Sequence, residues 1–200
     1  MAQTVFLTGI TGFIAKHVAL KLLEAGHTVV GSTRSLDRAG ELKDALRPHL
    51  TDPQAVEDRL RLVALDLTRD EGWAEALSGA EALVHTASPF PMTQPKDEAA
   101  LIRPAVDGAR RALRGAQAAG IDRVVLTSSA AAVMNTDLAP GKPAYDEDDW
   151  TDTAYPGGDG LREIQDTRRA GRLGISSQRT RPASRSRSST RCSSSARRST

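Results

Sequence analysis

A glycine-spaced segment at residues 9–15 offers the first recognisable chemistry in this sequence. A pyrophosphate binds backbone N–H groups at the start of a helix where no side chain blocks its approach. Gly9 and Gly12 supply the tight turn and the close approach, and Ala15 allows the helix to pack on a sheet. Because the segment joins a predicted strand to a predicted helix, we interpret it as a dinucleotide-binding turn rather than an ordinary glycine turn. The predicted cofactor-binding residues are Gly9, Thr11, Gly12, Phe13 and Ile14.

The residues that end the second apolar run, Gly31-Ser32-Thr33-Arg34, discriminate between cofactors. An NAD site typically has an Asp or Glu there to bind the ribose hydroxyls, whereas the 2′-phosphate of NADP requires a cation. Arg34 can bind a phosphate through two N–H groups, with Arg38 or Lys43 as helpers. The sequence therefore favours NADP over NAD, and a solvated Arg34 in a loop is the alternative.

Three further segments follow predicted strands, where open parallel sheets place their reactive groups. Asp66-Leu67 offers a carboxylate to an adenosine, although Asp66 could equally cap the next helix. Thr86-Ala87-Ser88 has small side chains that would let the backbone approach a ribose and a nicotinamide. Thr127-Ser128-Ser129 carries hydroxyls that, without partners, are turn formers. The predicted cofactor-binding residues of these three segments are Asp66, Leu67, Thr86, Ala87, Ser88 and Thr127. We interpret His85 as a packed strand residue rather than a base.

A regular alternation of strands and helices would bring these segments to one edge of a sheet. The patterns predict strands at 3–8, 28–33, 60–65, 80–86 and 122–128, and helices at 12–25, 38–50, 70–77 and about 98–119. Such alternation gives right-handed β-α-β units. The predicted fold class is therefore α/β, a Rossmann-like doubly wound parallel sheet with helices on both faces and strand order 3-2-1-4-5. We expect this sheet to be incomplete at its C-terminal side.

Charge divides the chain into two unlike parts. The formal net charge is +2, yet residues 1–160 hold 16 Lys and Arg against 23 Asp and Glu, and residues 161–200 hold 11 against 2. From residue 176 onward the chain is almost wholly Ser, Arg, Thr, Pro and Ala, which cannot bury enough apolar surface to offset the entropy of ordering. We predict a dinucleotide-binding domain at 1–160 and an aberrant, disordered Ser/Arg-rich tail at 161–200.

Several classes of protein are disfavoured. The single cysteine, Cys192, cannot form an internal disulfide. No apolar run approaches the roughly 20 residues of a membrane span. The start has no charged region followed by a cleavable apolar core, so we expect no signal peptide, a cytoplasmic location and no membrane partner.

The motifs together resemble those of the extended short-chain dehydrogenase/reductases over about residues 3–152, and the nearest branch is the dihydroflavonol-reductase-like aldehyde and ketone reductases. The resemblance implies an NADP-dependent oxidoreductase that transfers hydride between nicotinamide and a small-molecule aldehyde or ketone. It also implies that Ser129 hydrogen-bonds the substrate carbonyl. The segments that carry it are Thr8–Ile14, Arg34, Asp66-Leu67, His85–Pro89, Ala105–Gly108, Arg123–Ala130, and Tyr145-Asp146-Glu147 with Trp150.

The same family needs a Tyr as proton donor and a Lys four residues later, which lowers the pKa of that Tyr. Tyr145 and Tyr155 are followed at that spacing by Asp149 and Asp159, and the sequence has no Lys after Lys142. We therefore expect little or no reductase activity from this chain.

Shifted reading frames offer an origin for the missing pair. With allowed codon choices, residues 161–174 read in one shifted frame as Tyr-Ala-Lys-Ser-Lys-Thr-Leu-Ala-Glu-Arg-Ala-Ala-Trp-Glu, which contains the Tyr-x-x-x-Lys spacing. Residues 181–196 read in the other frame as an apolar strand followed by the family's Asn-Pro loop. We infer frameshifts rather than a genuine tail.

Two alternatives remain open from the sequence. An NAD-dependent epimerase or dehydratase of the same fold shares almost every motif, and Arg34 argues against it. A dinucleotide-binding module with a nucleic-acid-binding basic tail is the other, although the tail has no aromatic residue for base stacking. The sequence indicates neither the substrate nor the oligomeric state.

Overall fold

A computed structural model of the chain describes residues 1–89, 99–134, 137–146, 148–149 and 151. The predicted tail at 161–200 lies outside these residues, as do Tyr155 and Asp159. The strands are β1 (Thr4–Thr8), β2 (Thr28–Thr33), β3 (Leu60–Ala64), β4 (Ala82–His85) and β5 (Arg123–Leu126). The helices are α1 (Phe13–Glu24), α2 (Ala39–Leu46), α3 (Ala55–Arg59), α4 (Trp73–Leu77) and α5 (Ala99–Ala118), with 3₁₀ turns at Arg47–His49 and Ala130–Ala132.

The five strands form one parallel sheet in the order β3-β2-β1-β4-β5, which confirms the predicted strand order and doubly wound fold. Because side chains alternate along a strand, neighbouring residues of β1 enter different cores. Leu7 packs with α1, α2 and α3 on one face, and Phe6 packs with α4 and α5 on the other. Helices on both faces are thus confirmed.

Helix boundaries differ from the predicted ones for local reasons. The predicted helix at 38–50 ends at Leu46 and continues as a 3₁₀ turn that contains Pro48. The predicted helix at 70–77 begins only at Trp73, because Gly72 has a φ of 82° in the left-handed region. Helix α3 was not predicted, since five residues are too few for a helical period to show.

Strand β5 is an edge strand in the part of the chain that the structure describes. Val124 packs into the core shared with α4 and α5, whereas Val125, on the other face, is 60% exposed. Among the described residues no helix combines the length and the apolar character needed to cross a membrane.

Candidate cofactor-binding site

The turn between β1 and α1 has the backbone geometry of an anion cradle. Gly9 adopts a φ of 67°, and the N–H of Gly12 donates to the carbonyl of Gly9 at 2.9 Å. Gly12 precedes α1 in extended conformation and, as a glycine, has no side chain that could cap the first turn of that helix. The N–H groups at the start of a helix have no partner within it. The turn therefore presents donors and a positive helix end to an anion such as a pyrophosphate.

Glycine is required at Gly9 for a second reason, which the sequence did not indicate. A Cβ at this position would lie 2.7 Å from the Cβ of Ala87. The turn after β1 thus touches the loop after β4 directly. Gly31 is similarly constrained, since a Cβ there would lie 2.3 Å from Cδ1 of Ile10. The two glycines therefore let the turn after β1 pack against both the loop after β4 and strand β2.

Thr8 and His85 form a buried polar link beneath this edge. The hydroxyl oxygen of Thr8 accepts hydrogen bonds from the N–H groups of Thr86 at 3.0 Å and Ala87 at 3.1 Å. It also lies 2.9 Å from Nδ1 of His85. With both lone pairs occupied, the hydroxyl donates its proton to Nδ1, which assigns the neutral tautomer with the proton on Nε2. The interpretation of His85 as a packed strand residue is confirmed.

Burial lowers the pKa of His85 to about 4, which keeps the ring neutral near pH 7. Sequence reasoning missed Thr8, although a threonine that ends a buried strand directly before a glycine turn was a usable signal.

A cavity of about 1080 Å³ lies where the ends of β1, β2, β3 and β4 meet, and its volume suits a small molecule or cofactor. It confirms that the strand ends converge as the fold requires. Predicted site residues that line it are Gly9, Thr11, Arg34, Asp66, Leu67, Ala87 and Ser88. The other cofactor-site predictions lie nearby without lining it. Gly12 precedes α1, and Phe13 and Ile14 are exposed in its first turn at 78% and 57%.

Thr86 and Thr127 make hydrogen bonds that join neighbouring strand ends at the site. The hydroxyl of Thr86 donates to the carbonyl of Thr8 at 2.6 Å, and the N–H of Thr127 donates to the carbonyl of His85 at 3.0 Å. These bonds hold the ends of β1, β4 and β5 side by side, and neither residue lines the cavity.

Positive charge in the cavity comes from Arg34 and Arg38, which follow β2. Lys43, the other proposed helper, bonds to the carboxylate of Glu57 at 2.7 Å and does not line the cavity. Of the two helpers that the sequence offered, the structure therefore brings only Arg38 to the site.

Asp66 lines the cavity, and one of its two carboxylate oxygens accepts hydrogen bonds from a neighbouring residue. Its Oδ1 accepts hydrogen bonds from the N–H of Thr68 at 2.8 Å and from the hydroxyl of Thr68 at 2.7 Å. These bonds hold the pKa of the Asp66 carboxyl below its ordinary value, with smaller contributions from the charges of Arg69 and Arg34. The alternative role as a helix cap is wrong, because α4 begins only at Trp73.

The loop that carries Asp66 and Leu67 is held from behind by α5. Arg111 donates to the carbonyl of Leu67 at 3.1 Å and pairs with the carboxylate of Asp70. Gly108, one turn earlier in α5, is buried against Leu67. Sequence reasoning missed Arg111, since nothing local connects it to a loop 44 residues away.

Ser129, the predicted catalytic residue, lies after β5 at the same edge of the sheet. Its carbonyl accepts the N–H of Ala132 at 3.0 Å and starts a 3₁₀ turn, and the residue is exposed. The N–H of Thr151 donates to the carbonyl of Ala132, also at 3.0 Å, which ties a later segment to this turn.

Lys142, the last lysine of the sequence, is bound to acids. It lies 2.7 Å from Oδ2 of Asp149 and 3.0 Å from Oδ1 of Asp146. These partners raise the pKa of Lys142. Within the described ranges no cluster of three or more His, Cys, Asp or Glu is placed to hold a metal ion.

Comparison with known proteins gives consistent matches. Residues 5–156 match the model of the NAD dependent epimerase/dehydratase family. The dihydroflavonol 4-reductase of Hordeum vulgare is 36% identical over 152 residues, which cover 76% of this chain and 41% of that protein. The cinnamoyl-CoA reductase 1 of Petunia hybrida is 35% identical over 153 residues, with coverages of 76% and 43%. The chain thus spans less than half the length of these relatives.

Solved structures match over more of the chain. The yeast methylglyoxal/isovaleraldehyde reductase Gre2, complexed with NADPH, has a TM-score of 0.68 and 26% identity, covering 85% of this chain and 52% of that one. Gre2 of Candida albicans, also in complex with NADPH, has a TM-score of 0.72 and 25% identity, covering 89% and 54%.

Proposed function

Because this chain belongs to the NAD dependent epimerase/dehydratase family, we propose that it is the NADP-binding part of a reductase that acts on an aldehyde or ketone. The observation that carries the proposal is the cavity at the carboxyl edge of the sheet, where the Gly9 turn and Arg34 line one space. Similarity to reductases of flavonoids and to two NADPH-bound reductases supports it.

The residues present fit a dinucleotide. The start of α1 and the Gly9 turn would hold the pyrophosphate, since Gly9 and Gly12 carry no side chain that could block its approach to the backbone N–H groups. Arg34 would bind the 2′-phosphate, and the loop of Asp66 and Leu67 would line the adenosine. Ala87 and Ser88 would lie beside the nicotinamide ribose. When bound, NADPH supplies the hydride for carbonyl reduction.

Ser129 is the proposed carbonyl-binding group on the resemblance to the extended short-chain dehydrogenase/reductases, and its place beyond β5, the strand that pairs with β4, supports the proposal. From that edge its hydroxyl would donate to the carbonyl oxygen and orient the carbon towards the nicotinamide. Protonation of that oxygen needs a further acid, and Tyr145 has Asp149 rather than Lys four residues later. We therefore propose that this polypeptide binds cofactor and turns over carbonyl substrates little or not at all.

The proposal is tested by titrating the chain with NADPH and with NADH, read by nicotinamide fluorescence and by the shift in melting temperature. We expect NADPH to bind more tightly than NADH, because NADPH carries the 2′-phosphate that would bind Arg34 and NADH does not. Preference for NADH would overturn the cofactor assignment. A reductase assay with the same sample should show no turnover above background, and rates typical of reductases would overturn the proposed inactivity.

Shifted reading frames are our proposal for the missing Tyr and Lys. The gene sequence tests this directly. Codons for 161–174 and 181–196 that cannot spell the shifted peptides would exclude it, whereas codons that spell them would allow a repaired gene to be expressed. The repaired protein should reduce aldehydes or ketones with NADPH.

An NAD-dependent epimerase or dehydratase is the second candidate, and one observation favours it. Asp37 lines the cavity together with Arg34, and a carboxylate near the adenosine ribose can accept hydrogen bonds from the ribose hydroxyls. The NADH titration separates the two candidates. The nucleic-acid-binding alternative concerns the tail, outside the described residues, and loss of salt-sensitive RNA binding on deletion of 176–200 would support it.

A further inference from the structure

A second cavity lies beside the first, between the N-terminal part of α1 and one side of α2. It has a volume of about 290 Å³. Thr11 and Arg38 line both cavities, so Arg38 stands at the boundary between them. The residues that line only the second cavity, within the part of the chain that the structure describes, are Lys16, Glu41, Leu42 and Ala45.

Glu41 holds the guanidinium of Arg38 at this boundary. Oε2 of Glu41 lies 2.7 Å from Nε and 2.6 Å from Nη2 of Arg38. The edge of the guanidinium formed by these two nitrogens is one that also binds phosphate through two parallel hydrogen bonds. While Glu41 occupies this edge, Arg38 cannot offer it to a ligand in the first cavity.

The ion pair between Arg38 and Glu41 is weak enough for a phosphate to replace Glu41. The side chains of Arg38 and Glu41 are 79% and 64% exposed, and such ion pairs are held weakly because water screens them. Glu41 lies in the first turn of α2, where the helix dipole favours a carboxylate. A phosphate with two negative charges is a stronger partner for a guanidinium than one carboxylate is. Arg38 would therefore leave Glu41 when a phosphate enters.

We propose that Glu41 is a specificity-determining residue, which weakens recognition of the 2′-phosphate of NADP by competing for Arg38. The inference rests on the proposed NADP site. Two residues would then set the preference for NADP over NAD. Arg34 binds the 2′-phosphate directly. Arg38 adds the binding free energy of its own contact with the phosphate, less the free energy needed to separate it from Glu41.

The test uses two fragments of the cofactor and two matched variants. Binding of 2′,5′-ADP and of 5′-AMP is measured by titration calorimetry at low salt for the unaltered chain, Glu41→Gln and Glu75→Gln. Glu75 also lies in the first turn of a helix, α4, and lines neither cavity, so its substitution removes the same charge from an equivalent position. We expect Glu41→Gln to bind 2′,5′-ADP about two- to fivefold more tightly, the fold-change that a surface ion pair represents. Binding of 5′-AMP should change less, and Glu75→Gln should change neither.

A second pair of variants isolates the route through Arg38. In an Arg38→Gln background, Glu41→Gln should no longer tighten binding of 2′,5′-ADP, which is the signature of coupling between the two residues. Glu41→Ala should act in the same direction as Glu41→Gln. Thermal unfolding of each variant verifies that it is folded.

The contrary outcomes separate this inference from the proposed function. If the unaltered chain prefers 2′,5′-ADP over 5′-AMP but Glu41→Gln binds it equally or more weakly, the competition is wrong and the NADP site stands. Weaker binding would mean that Glu41 orients Arg38 for the phosphate. If the unaltered chain does not distinguish the two fragments, both the NADP site and the role of Glu41 are wrong.

Discussion

Oγ1 of Thr8 lies 2.9 Å from Nδ1 of His85, and this contact joins the ends of β1 and β4 directly beneath the candidate site. The same hydroxyl oxygen accepts hydrogen bonds from the N–H groups of Thr86 and Ala87. One buried oxygen thus holds the loop after β4 in contact with Gly9. The arrangement requires a neutral imidazole, because a protonated Nδ1 would face a hydroxyl that has no lone pair left to accept its proton.

The first prediction concerns pH. The pKa of His85 is about 4 in the folded chain and near 6.5 when unfolded, so between these values the unfolded state binds one more proton. The free energy of unfolding should therefore fall as pH decreases from 6.5 to 4, by about 3 kcal/mol from this residue. Urea unfolding at several pH values measures the slope.

His85→Asn is the control for that slope. The side-chain oxygen of Asn can accept the Thr8 proton near the position of Nδ1, yet it does not titrate. The variant should lose most of the dependence on pH between 6.5 and 4. An undiminished slope would show that other groups cause it.

The second prediction concerns Gly9. Gly9→Ala combines a left-handed backbone with a Cβ placed 2.7 Å from that of Ala87, so it should destabilise the fold by about 3 kcal/mol and abolish NADPH binding. Gly26→Ala is matched, because Gly26 has a φ of 82° and, among the described residues other than its chain neighbours, no atom lies within 4 Å of its Cβ position. It should cost only about 1 kcal/mol. Equal losses in chemical denaturation would mean that the contact with Ala87 is unimportant.

The third prediction concerns Arg34. Arg34→Met should weaken binding of 2′,5′-ADP by about ten- to hundredfold, the loss expected for charged hydrogen bonds to a phosphate, and leave 5′-AMP within about twofold. Arg114→Met, on the exposed side of α5, removes the same charge away from the cavity and should change neither. Calorimetric titration measures both. Equal weakening of the two fragments by Arg34→Met would place Arg34 on a part of the nucleotide that they share.

The fourth prediction concerns Arg111, which bonds to the carbonyl of Leu67. Arg111→Met should release the loop at 66–70, lower the free energy of unfolding by about 1–2 kcal/mol and weaken 5′-AMP binding. Hydrogen exchange should accelerate at the N–H of Thr68. The adjacent Arg110 pairs instead with Asp107 within α5, so Arg110→Met should leave the loop protected. Similar exchange in both variants would rule out the anchoring role of Arg111.

Much of the architecture could be predicted from local patterns. The alternation of apolar runs and helical periods is set by which residues must be buried, and it predicted five parallel strands in the observed order. The exceptions are short or punctuated elements. Helix α3 has five residues, and α4 starts late because of the left-handed Gly72.

The site divides in the same way. By itself the sequence determined which residue types follow each strand, because a strand, a glycine turn and a helix are neighbours along the chain. It therefore predicted the Gly9 turn, Arg34 and Asp66 as cofactor-binding residues, and the structure brings all three to one cavity. Tertiary structure alone decided which side chains meet, because contacts such as Gly9 with Ala87 and Arg111 with Leu67 join segments that are distant in sequence. It also decided that Lys43 pairs with Glu57 of α3, which leaves Arg38, held by Glu41, as the second cation at the cavity.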